Sequence, residues 1–296
     1  MTIYSYLQGG LGNQMFQYAI ARALSEHYRT QFALNRYWFN AHQGDATPRE
    51  LQLDALNIQE VPILDSTFPQ KPKRWQRVLQ HFFTKNSLVI YQDNAFDFDQ
   101  DVFHLKNAAS RNIYLAGYWQ AYAYIDAIKE ILKGEFKTKA PLFHFYQTYL
   151  DQIQSQESVM VHIRRGDYVH SKAASQFHGV LPLQYYEHAI SALQNTKSNL
   201  HFFIFSDDLQ WAKDSLQGNF QKTFIEHAPH ADAVAHELQL MRACDHHIIA
   251  NSSLSWWGAW LKKNPHGLVY APNHWINDDT LNLSALLPPD WIRIPC

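Results

Sequence analysis

The stretch from residue 159 to residue 168 constrains the fold more than any other part of this 296-residue chain. It begins with the apolar run Val-Met-Val and ends in His-Ile-Arg-Arg-Gly-Asp-Tyr. An apolar, β-branched run that leads into a glycine is typical of a buried parallel strand in an α/β sheet. In such a sheet, ligands bind beyond the carboxyl ends of the strands. The pattern therefore predicts that His162, Arg164, Arg165 and Asp167 are delivered to a ligand site.

Arg164 and Arg165 are adjacent cations at the end of this strand, and each needs an anionic partner if it is buried. Strand alternation sends them to opposite faces, so we expect one to bind a ligand and the other to be held by the protein. A guanidinium suits a phosphate or carboxylate, to which it donates two parallel hydrogen bonds. Asp167 would pair with one guanidinium or cap the next turn. A purely structural Arg–Asp pair is the alternative, but the complete string favours an anion site.

The N-terminus has a second layout that is typical of phosphate binding. Residues 2–7 are predicted to form a strand, residues 8–15 a glycine-rich turn and residues 16–28 a helix. The dinucleotide fingerprint is incomplete, because Met15 stands where a third glycine would be needed, and the segment is not a Walker loop. The turn either serves chain geometry alone or leaves room for a ligand beside the backbone.

Two later strands are predicted to end in small polar residues. Such residues after the first of these strands suit recognition of a ribose or base, or simply cap the following helix. After the second, the free amides of a helix start favour a pyrophosphate, although plain N-capping would need only one of the three residues. The residues are Ser206, Asp207 and Asp208 after residues 200–205, and Asn251, Ser252 and Ser253 after residues 246–250.

Length and composition limit the function classes. A chain of this length is expected to form two domains, here 1–150 and 151–296, with the tail packing back on the body. The formal net charge of −2 gives no basic surplus that would favour nucleic acid as a partner. With only two cysteines, no disulfide framework is expected, and a reducing compartment is the default. No signal peptide and no membrane span are expected either, because the sequence shows no signal-peptide pattern and no apolar run of membrane-spanning length. The 17 histidines show no zinc-ligand spacing, so no metal site is expected.

Several of these segments resemble the α1,2-fucosyltransferases of glycosyltransferase family 11. The string from His162 to Tyr168 looks like the signature of that family, and the resemblance covers most of the chain. Animal members of the family carry a membrane anchor, and its absence here implies a bacterial, cytoplasmic enzyme. The other matching segments are GGLGNQMFQYA at 9–19, GYWQ at 117–120 with Tyr122 and Tyr124, HGV at 178–180, and CDHHIIANSSLSWWGAW at 244–260.

The resemblance implies the GT-B architecture, an α/β fold in which two Rossmann-like halves face a cleft. The implied donor is GDP-fucose, held mainly by the C-terminal half. The implied acceptor is a galactose-terminated glycan, presented largely by the N-terminal half. Fucose would be transferred with inversion to form an α1,2 linkage. GDP-fucose would be a substrate, and no cofactor or metal is expected.

The resemblance also implies roles for individual residues. Arg164 is expected to be the main donor to the β-phosphate as negative charge develops there. His162 is expected to contact the nucleotide, and Arg165 to brace the site through Asp167. Asn13 is expected to touch the sugar being transferred. The remaining predicted binding residues are Gly10, Ser206, Asp207, Asn251, Ser252 and Ser253.

The resemblance does not assign the general base. The α1,6-fucosyltransferases have a glutamate ten residues after the motif histidine, whereas this chain has Lys172 at that position. Inverting transfer usually needs a carboxylate or imidazole near the acceptor hydroxyl. His178, Asp167 and His170 are the candidates, in that order. The alternative is a dissociative transition state in which the departing phosphate takes the proton.

Two other functions fit the same residues. One is a GT-B transferase that uses another nucleotide sugar, which donor selectivity would reveal. The other is a non-catalytic carbohydrate-binding protein that uses tyrosine and tryptophan side chains, since aromatic residues make up 15% of the chain. The carbohydrate-binding function predicts no nucleotide affinity and no need for Arg164.

Overall fold

The computed structural model describes residues 1–41, 48–68, 87–92, 96–106, 110–166, 169, 175–177, 179–278 and 280–296. The chain divides into two compact units, Met1–Phe136 with Leu281–Leu286, and Lys137–Thr280 with Leu287–Cys296. Among the described helices, none is long and apolar enough to cross a membrane.

The first unit is built on parallel strands. Their spatial order is β3-β2-β1-β5-β4, so β1 and β5, which are distant in the chain, lie side by side. The described strands are β1 Thr2–Tyr6, β2 Gln31–Asn35, β3 Ile63–Leu64, β4 Ser87–Tyr91 and β5 Asn112–Ala116. The described helices are α1 Leu11–Tyr28, α2 Tyr37–Asn40 and α3 Lys129–Glu135, with short 3-10 helices at Leu53–Ala55, Gln100–Phe103, Tyr122–Tyr124 and Asp126–Ile128.

Helix α1 begins five residues earlier than the pattern predicts, at Leu11 rather than Phe16. The carbonyl oxygen of Gly10 accepts from the amides of Asn13 and Gln14 at 3.0 and 3.1 Å, which starts the helix directly after the two glycines. The predicted helix start was wrong because the first turn buries polar as well as apolar side chains. Gln14 is fully buried, and an apolar-periodicity rule places such a residue in a loop.

The second unit contains parallel strands in the spatial order β11-β10-β9-β6-β7-β8. Counted in chain order from β6, this is the doubly wound Rossmann order 3-2-1-4-5-6. The order reverses between β6 and β9, which is where such sheets bind ligands. The described strands are β6 Glu157–Ile163, β7 Leu200–Ser206, β8 Gln221–Phe224, β9 His246–Ile248, β10 Val269–Pro272 and β11 Ile292–Ile294. The described helices are α4 His144–Gln154, α5 Leu183–Gln194, α6 Leu209–Ser215, α7 Ala233–Ala243 and α8 Ser253–Trp260.

The division between the units falls at Phe136/Lys137, whereas the sequence predicts a boundary at residue 150. Helix α4 therefore lies in the second unit. Its Tyr146 donates to Glu237 of α7 at 2.7 Å, and the ring of Phe143, just before the helix, stacks on His236 at 3.6 Å. These contacts are long-range in sequence, so composition gives no sign of them.

The tryptophans of α8 lie in the core of the second unit. Trp256, Trp257 and Trp260 are all buried, with ring centroids 5.1 to 5.8 Å apart. Helix α8 can approach α7 closely because Gly258 has no side chain, since a Cβ there would lie 2.9 Å from the Cβ of Met241. These three rings stabilise the unit and do not form a sugar-binding surface.

The C-terminal tail is divided between the units. Residues 281–286 belong to the first unit, where the amide of Tyr122 donates to the carbonyl of Ala285 at 3.0 Å. In the second unit, β11 pairs in parallel with β10, and the ring of Trp291 lies 5.6 Å from that of Trp256. The tail therefore supplies the edge strand of the second sheet.

Candidate active site

Asp207 organises the signature segment at the end of β6. It lies just beyond β7, and its Oδ1 accepts from the backbone amide of Arg165 at 2.8 Å. Its Oδ2 pairs with Nη1 of Arg164 at 2.9 Å. Gly166 makes this approach possible, because a Cβ there would lie 2.7 Å from Asp207 Oδ2. One carboxylate from the neighbouring strand thus fixes both the backbone and the first guanidinium of the signature.

Arg165 is held by the protein. Its Nε lies 3.5 Å from Asp208 Oδ2, and its guanidinium carbon lies 3.9 Å from the centre of the Trp211 ring. Asp208 also caps α6, since its Oδ1 accepts from the amide of Trp211 at 3.2 Å. The expected brace through Asp167 stays a prediction, because that residue lies outside the described ones. Arg164 differs from expectation in also having a protein carboxylate as its partner.

His162 is a neutral, buried imidazole at the end of β6. Its side chain is almost inaccessible, and its Nδ1 has no hydrogen-bond partner among the described residues. Burial lowers the pKa of His162 to about 4, the negative charge of Asp207 opposes this shift, and the positive charge of Arg164 adds to it. The orphaned nitrogen fits the predicted contact with a nucleotide, since buried polar atoms are normally paired.

His227, which the sequence does not single out, adds a cation to this edge of the sheet. Its Nδ1 bonds Glu237 Oε1 at 2.6 Å, and its Nε2 bonds the carbonyl of Ser206 at 2.9 Å. Both partners are acceptors only, so both ring nitrogens must carry protons. The bond to Glu237 raises the pKa of His227 to about 9, against a smaller opposing effect of burial. The one sequence signal is Glu237, an acid on the otherwise apolar face of α7.

Two further predicted binding residues, Ser206 and Asn251, are hydrogen-bonded to other parts of the protein. The hydroxyl of Ser206 is buried and accepts from the amide of Asp208 at 3.0 Å. Asn251 is buried, and its Nδ2 lies 3.3 Å from the carbonyl of Gly179 and 3.2 Å from that of Trp275. Both side chains hold loops at the carboxyl edge of the sheet, and a role in binding stays a prediction.

The start of α8 presents backbone amides. Ser252 occupies the N-cap position without a side-chain cap bond, and its own amide donates to Ala250 at 2.8 Å. The first i to i−4 bond of the helix comes from Trp256, at 3.0 Å. Helix geometry therefore gives the amides of Ser253 and the two residues after it no intrahelical acceptor. The amide of Ser253 fits the predicted phosphate contact, whereas that of Ser252 is already used.

In the first unit, the order of the strands reverses between β1 and β5, and the predicted residues lie at the ends of these strands. Asn13 is in the first turn of α1, and its Oδ1 accepts from Gln120 Nε2 at 2.7 Å. A Cβ at Gly10 would meet no heavy atom within 4 Å, so space is open beside that backbone.

In the GYWQ segment, Trp119 and Tyr124 are buried against each other, with ring centroids 5.6 Å apart. Those two aromatic rings are core residues.

The three candidate bases, His178, Asp167 and His170, lie outside the described residues, as does Lys172. Within the described part of the chain, no three His, Cys, Asp or Glu side chains are grouped so as to hold a metal ion.

Comparison with known sequences decides the family. The family described as glycosyl transferase family 11 matches residues 2–295. The chain belongs to glycosyltransferase family 11. The suspected family and the activity class, a glycosyltransferase, are thereby confirmed.

Individual relatives of this family 11 chain differ in their sugars. It is 32% identical to an α1,2-colitosyltransferase of Escherichia coli, over 99% of this chain and 98% of the relative. It is 23% identical to galactoside α1,2-fucosyltransferase 2 of Bos taurus, over 97% of this chain and 77% of the relative. Both relatives are named for α1,2 transfer.

Among solved structures, the family 11 chain is similar to the NodZ α1,6-fucosyltransferase, whose crystals were soaked with GDP-fucose. The TM-score is 0.53 at 14% identity, over 91% of this chain and 94% of NodZ. This likeness bears on the fold alone. With the two parallel sheets it confirms the predicted GT-B fold class of Rossmann-like α/β units.

Proposed function

We propose that this family 11 chain transfers L-fucose from GDP-β-L-fucose to the 2-hydroxyl of a terminal galactose in a glycan, with inversion and without a metal. The observation that carries the proposal is the grouping of His162, Arg164 and Asp207 at the carboxyl end of β6, a strand that borders the switch point of a Rossmann sheet. Membership of family 11 over the whole chain supports sugar transfer. The names of the two relatives support an α1,2 linkage.

The donor site of the proposal is built from Arg164, His162 and the start of α8. In the reaction, the bond between the anomeric carbon and the β-phosphate oxygen breaks, and its electrons stay on GDP. Arg164 and the amide of Ser253 donate to the oxygens on which this charge grows, while His162 contacts the nucleotide. Losing one such donor commonly lowers the rate by a factor of about 10² to 10³.

The acceptor step forms a bond from galactose O2 to the anomeric carbon, on the face opposite the departing phosphate. The proton of the 2-hydroxyl passes to a base, for which His178, Asp167 and His170 are the candidates in that order, or to the departing phosphate. Asn13 contacts the transferred sugar beside the open backbone of Gly10. No cofactor takes part, because GDP-fucose itself carries the activated sugar.

Calorimetric titration with GDP, UDP and ADP in the presence of EDTA tests the donor site. We expect GDP to bind selectively to the wild type and at least about 10-fold more weakly to Arg164→Ala. Arg293→Ala, which removes an exposed arginine of the same unit, is the matched control and should leave binding unchanged. UDP or ADP preference would exclude a GDP-sugar donor. Absence of nucleotide binding by folded protein would favour the carbohydrate-binding alternative.

Colitose is a second candidate sugar, because the α1,2-colitosyltransferase is 32% identical over nearly the whole chain. Colitose is fucose without the 3-hydroxyl, so the two donors present the same phosphates to the same site. A competition assay with GDP-fucose and GDP-colitose compares their kcat/KM values directly. A site that bonds the 3-hydroxyl should reject colitose strongly, whereas a site built for colitose has an apolar contact there.

A further inference from the structure

Gln120 follows β5 and Asn13 follows β1, the two strands between which the strand order of the first unit reverses. The two side chains are hydrogen-bonded to each other. The Nε2 of Gln120 donates to Asn13 Oδ1 at 2.7 Å, and the Gln120 side chain is largely buried. We propose that Gln120 is a positioning residue, which orients the Asn13 carboxamide so that the amino group and not the oxygen faces the sugar. The inference rests on the proposed function, because it deepens the role given there to Asn13.

The backbone just before Gln120 is held in place at two points. Trp119 is buried and has a left-handed φ of 56°, and its amide donates to Gln92 Oε1 at 2.5 Å. The carbonyl of Gly117 accepts from Gln17 Nε2 of α1 at 3.2 Å. A left-handed conformation is costly for a bulky residue and persists only where its surroundings fix it. The Gln120 side chain therefore leaves a rigid segment.

Asn13 is closely confined on its other side by Gly9. Gly9 has a φ of 78°, and a Cβ there would lie 2.6 Å from Asn13 Nδ2. The amino group of Asn13 thus lies directly against a residue that has no side chain. Of the described residues, Gln120 alone bonds the Asn13 carboxamide. Sterically, the carboxamide can be inverted, because its oxygen and nitrogen are nearly the same size.

The observed bond runs from Gln120 to Asn13. Gln120 offers an N–H, which only the oxygen of Asn13 can accept, so the amino group keeps its own protons for another partner. An N–H donor stabilises a sugar hydroxyl oxygen or an oxygen that gains negative charge. An inverted carboxamide would place an acceptor there. Because a neutral hydrogen bond favours one orientation by only about 2- to 10-fold, removal of Gln120 should leave a mixture of orientations.

A double-mutant cycle tests this inference, with kcat and KM measured on the donor that the wild type accepts. Gln120→Leu should lower kcat by no more than about 2-fold, because two equally populated orientations leave half of the protein competent. Gln120→Glu should lower it by at least about 10-fold, because a carboxylate accepts from Asn13 and so inverts the carboxamide. Neither change should lower kcat further in an Asn13→Ala background. Gln147→Leu, a surface glutamine of the second unit, is the matched control and should leave kcat unchanged.

Three further measurements distinguish a role of Gln120 in the fold from a role in orienting Asn13. They are the Tm, the affinity for GDP and the side-chain NMR signals of Gln120. Unchanged Tm and unchanged GDP affinity in the Gln120 variants are expected. A loss of kcat of equal size with and without Asn13 would overturn the inference and assign Gln120 to the fold. The 15N side-chain resonances of Gln120 should shift in Asn13→Ala, whether or not the wild type uses GDP-fucose. Absence of that shift would overturn the inference, whereas absence of fucose transfer alone would overturn only the proposed function.

Discussion

In the second unit, the protonation state of a histidine depends on the hydrogen-bonding groups that surround its ring. His227 and His162 are both histidines near Asp207, yet one is held protonated and the other neutral. The difference comes from Glu237 and the carbonyl of Ser206, which bond both nitrogens of His227, whereas His162 is buried with an orphaned Nδ1. A cation beside the carboxyl edge of the sheet is therefore available at neutral pH without a further lysine or arginine.

Titration of His227 tests this charge. The folded-state pKa of about 9 lies above the ordinary value near 6.5, so the stabilisation is fully present below pH 6.5 and is lost as pH rises to about 9. Glu237→Gln should lower the pKa of His227, because the bond to the Glu237 carboxylate is the main reason that this pKa is raised. The pKa of His227 can be measured by following the histidine NMR signals from pH 5 to 10. Glu226→Gln, at the adjacent exposed acid, should leave this titration unchanged, and an ordinary pKa in the wild type would contradict the network.

The two glycines before α1 should respond differently to alanine. Gly9→Ala should lower the free energy of unfolding by about 1 to 2 kcal/mol, because its φ is left-handed and the new Cβ meets Asn13. Gly10→Ala should be neutral or slightly stabilising, since its φ is −77° and the space beside it is open. Urea unfolding of both variants measures the difference. Equal destabilisation would contradict the turn geometry.

At the scale of elements, helix α6 serves the signature segment as well as its own fold. Asp208 caps its N-terminus and pairs with Arg165, while Trp211 in its first turn stacks under the same guanidinium. The helix start and the end of β6 are thus stabilised by shared groups. The sequence shows the capping residue but not the pair, because Arg165 and Asp208 are 43 residues apart.

Substitutions at Asp208 separate the two roles. Asp208→Ala should lower the free energy of unfolding by about 1 kcal/mol through loss of the cap. Asp208→Asn keeps a good capping oxygen and removes the charge, so it should cost less stability. Urea unfolding measures both variants. An equal loss for asparagine and alanine would show that the ion pair, and not the cap, dominates.

The packing of α8 on α7 can be tested in the same way. Gly258→Ala should destabilise by about 1 to 3 kcal/mol, because its Cβ would lie 2.9 Å from that of Met241. Gly134→Ala in α3 is the control, where a Cβ meets nothing within 4 Å and should stabilise by up to about 1 kcal/mol. Thermal unfolding compares the two. A neutral result at Gly258 would contradict the close approach of the helices.

For the whole molecule, the strands were predictable where apolar runs are long, and the partners of the site residues were not. The predicted strand over 200–205 is confirmed by β7, and the chain order of strands and helices implies parallel sheets. The pairing of Arg164 with Asp207 and of His227 with Glu237 depends on which strands and helices become neighbours. Asn13 and Gln120 are likewise 107 residues apart. Periodicity contains no information about such contacts.

Acid should destabilise the whole protein through its buried histidines. Burial lowers the pKa of His162 to about 4 and that of His247 to about 3. Because both folded-state values lie below 6.5, the unfolded chain binds more protons as pH falls below 6.5, and stability is lost towards pH 4. Urea unfolding at pH 7, 5.5 and 4.5 measures the slope. His247→Asn should reduce that slope, and an unchanged slope would contradict burial of a neutral ring.

The glutamines of α1 have a consequence for the order of folding. Gln14 bonds the backbone of Gly9, Glu50 and Gln52, and Gln17 bonds that of Gln8 and Gly117. The glycine turn that precedes the helix is therefore completed by segments synthesised much later. During synthesis, the N-terminal motif emerges first but reaches its final geometry only when residue 117 arrives.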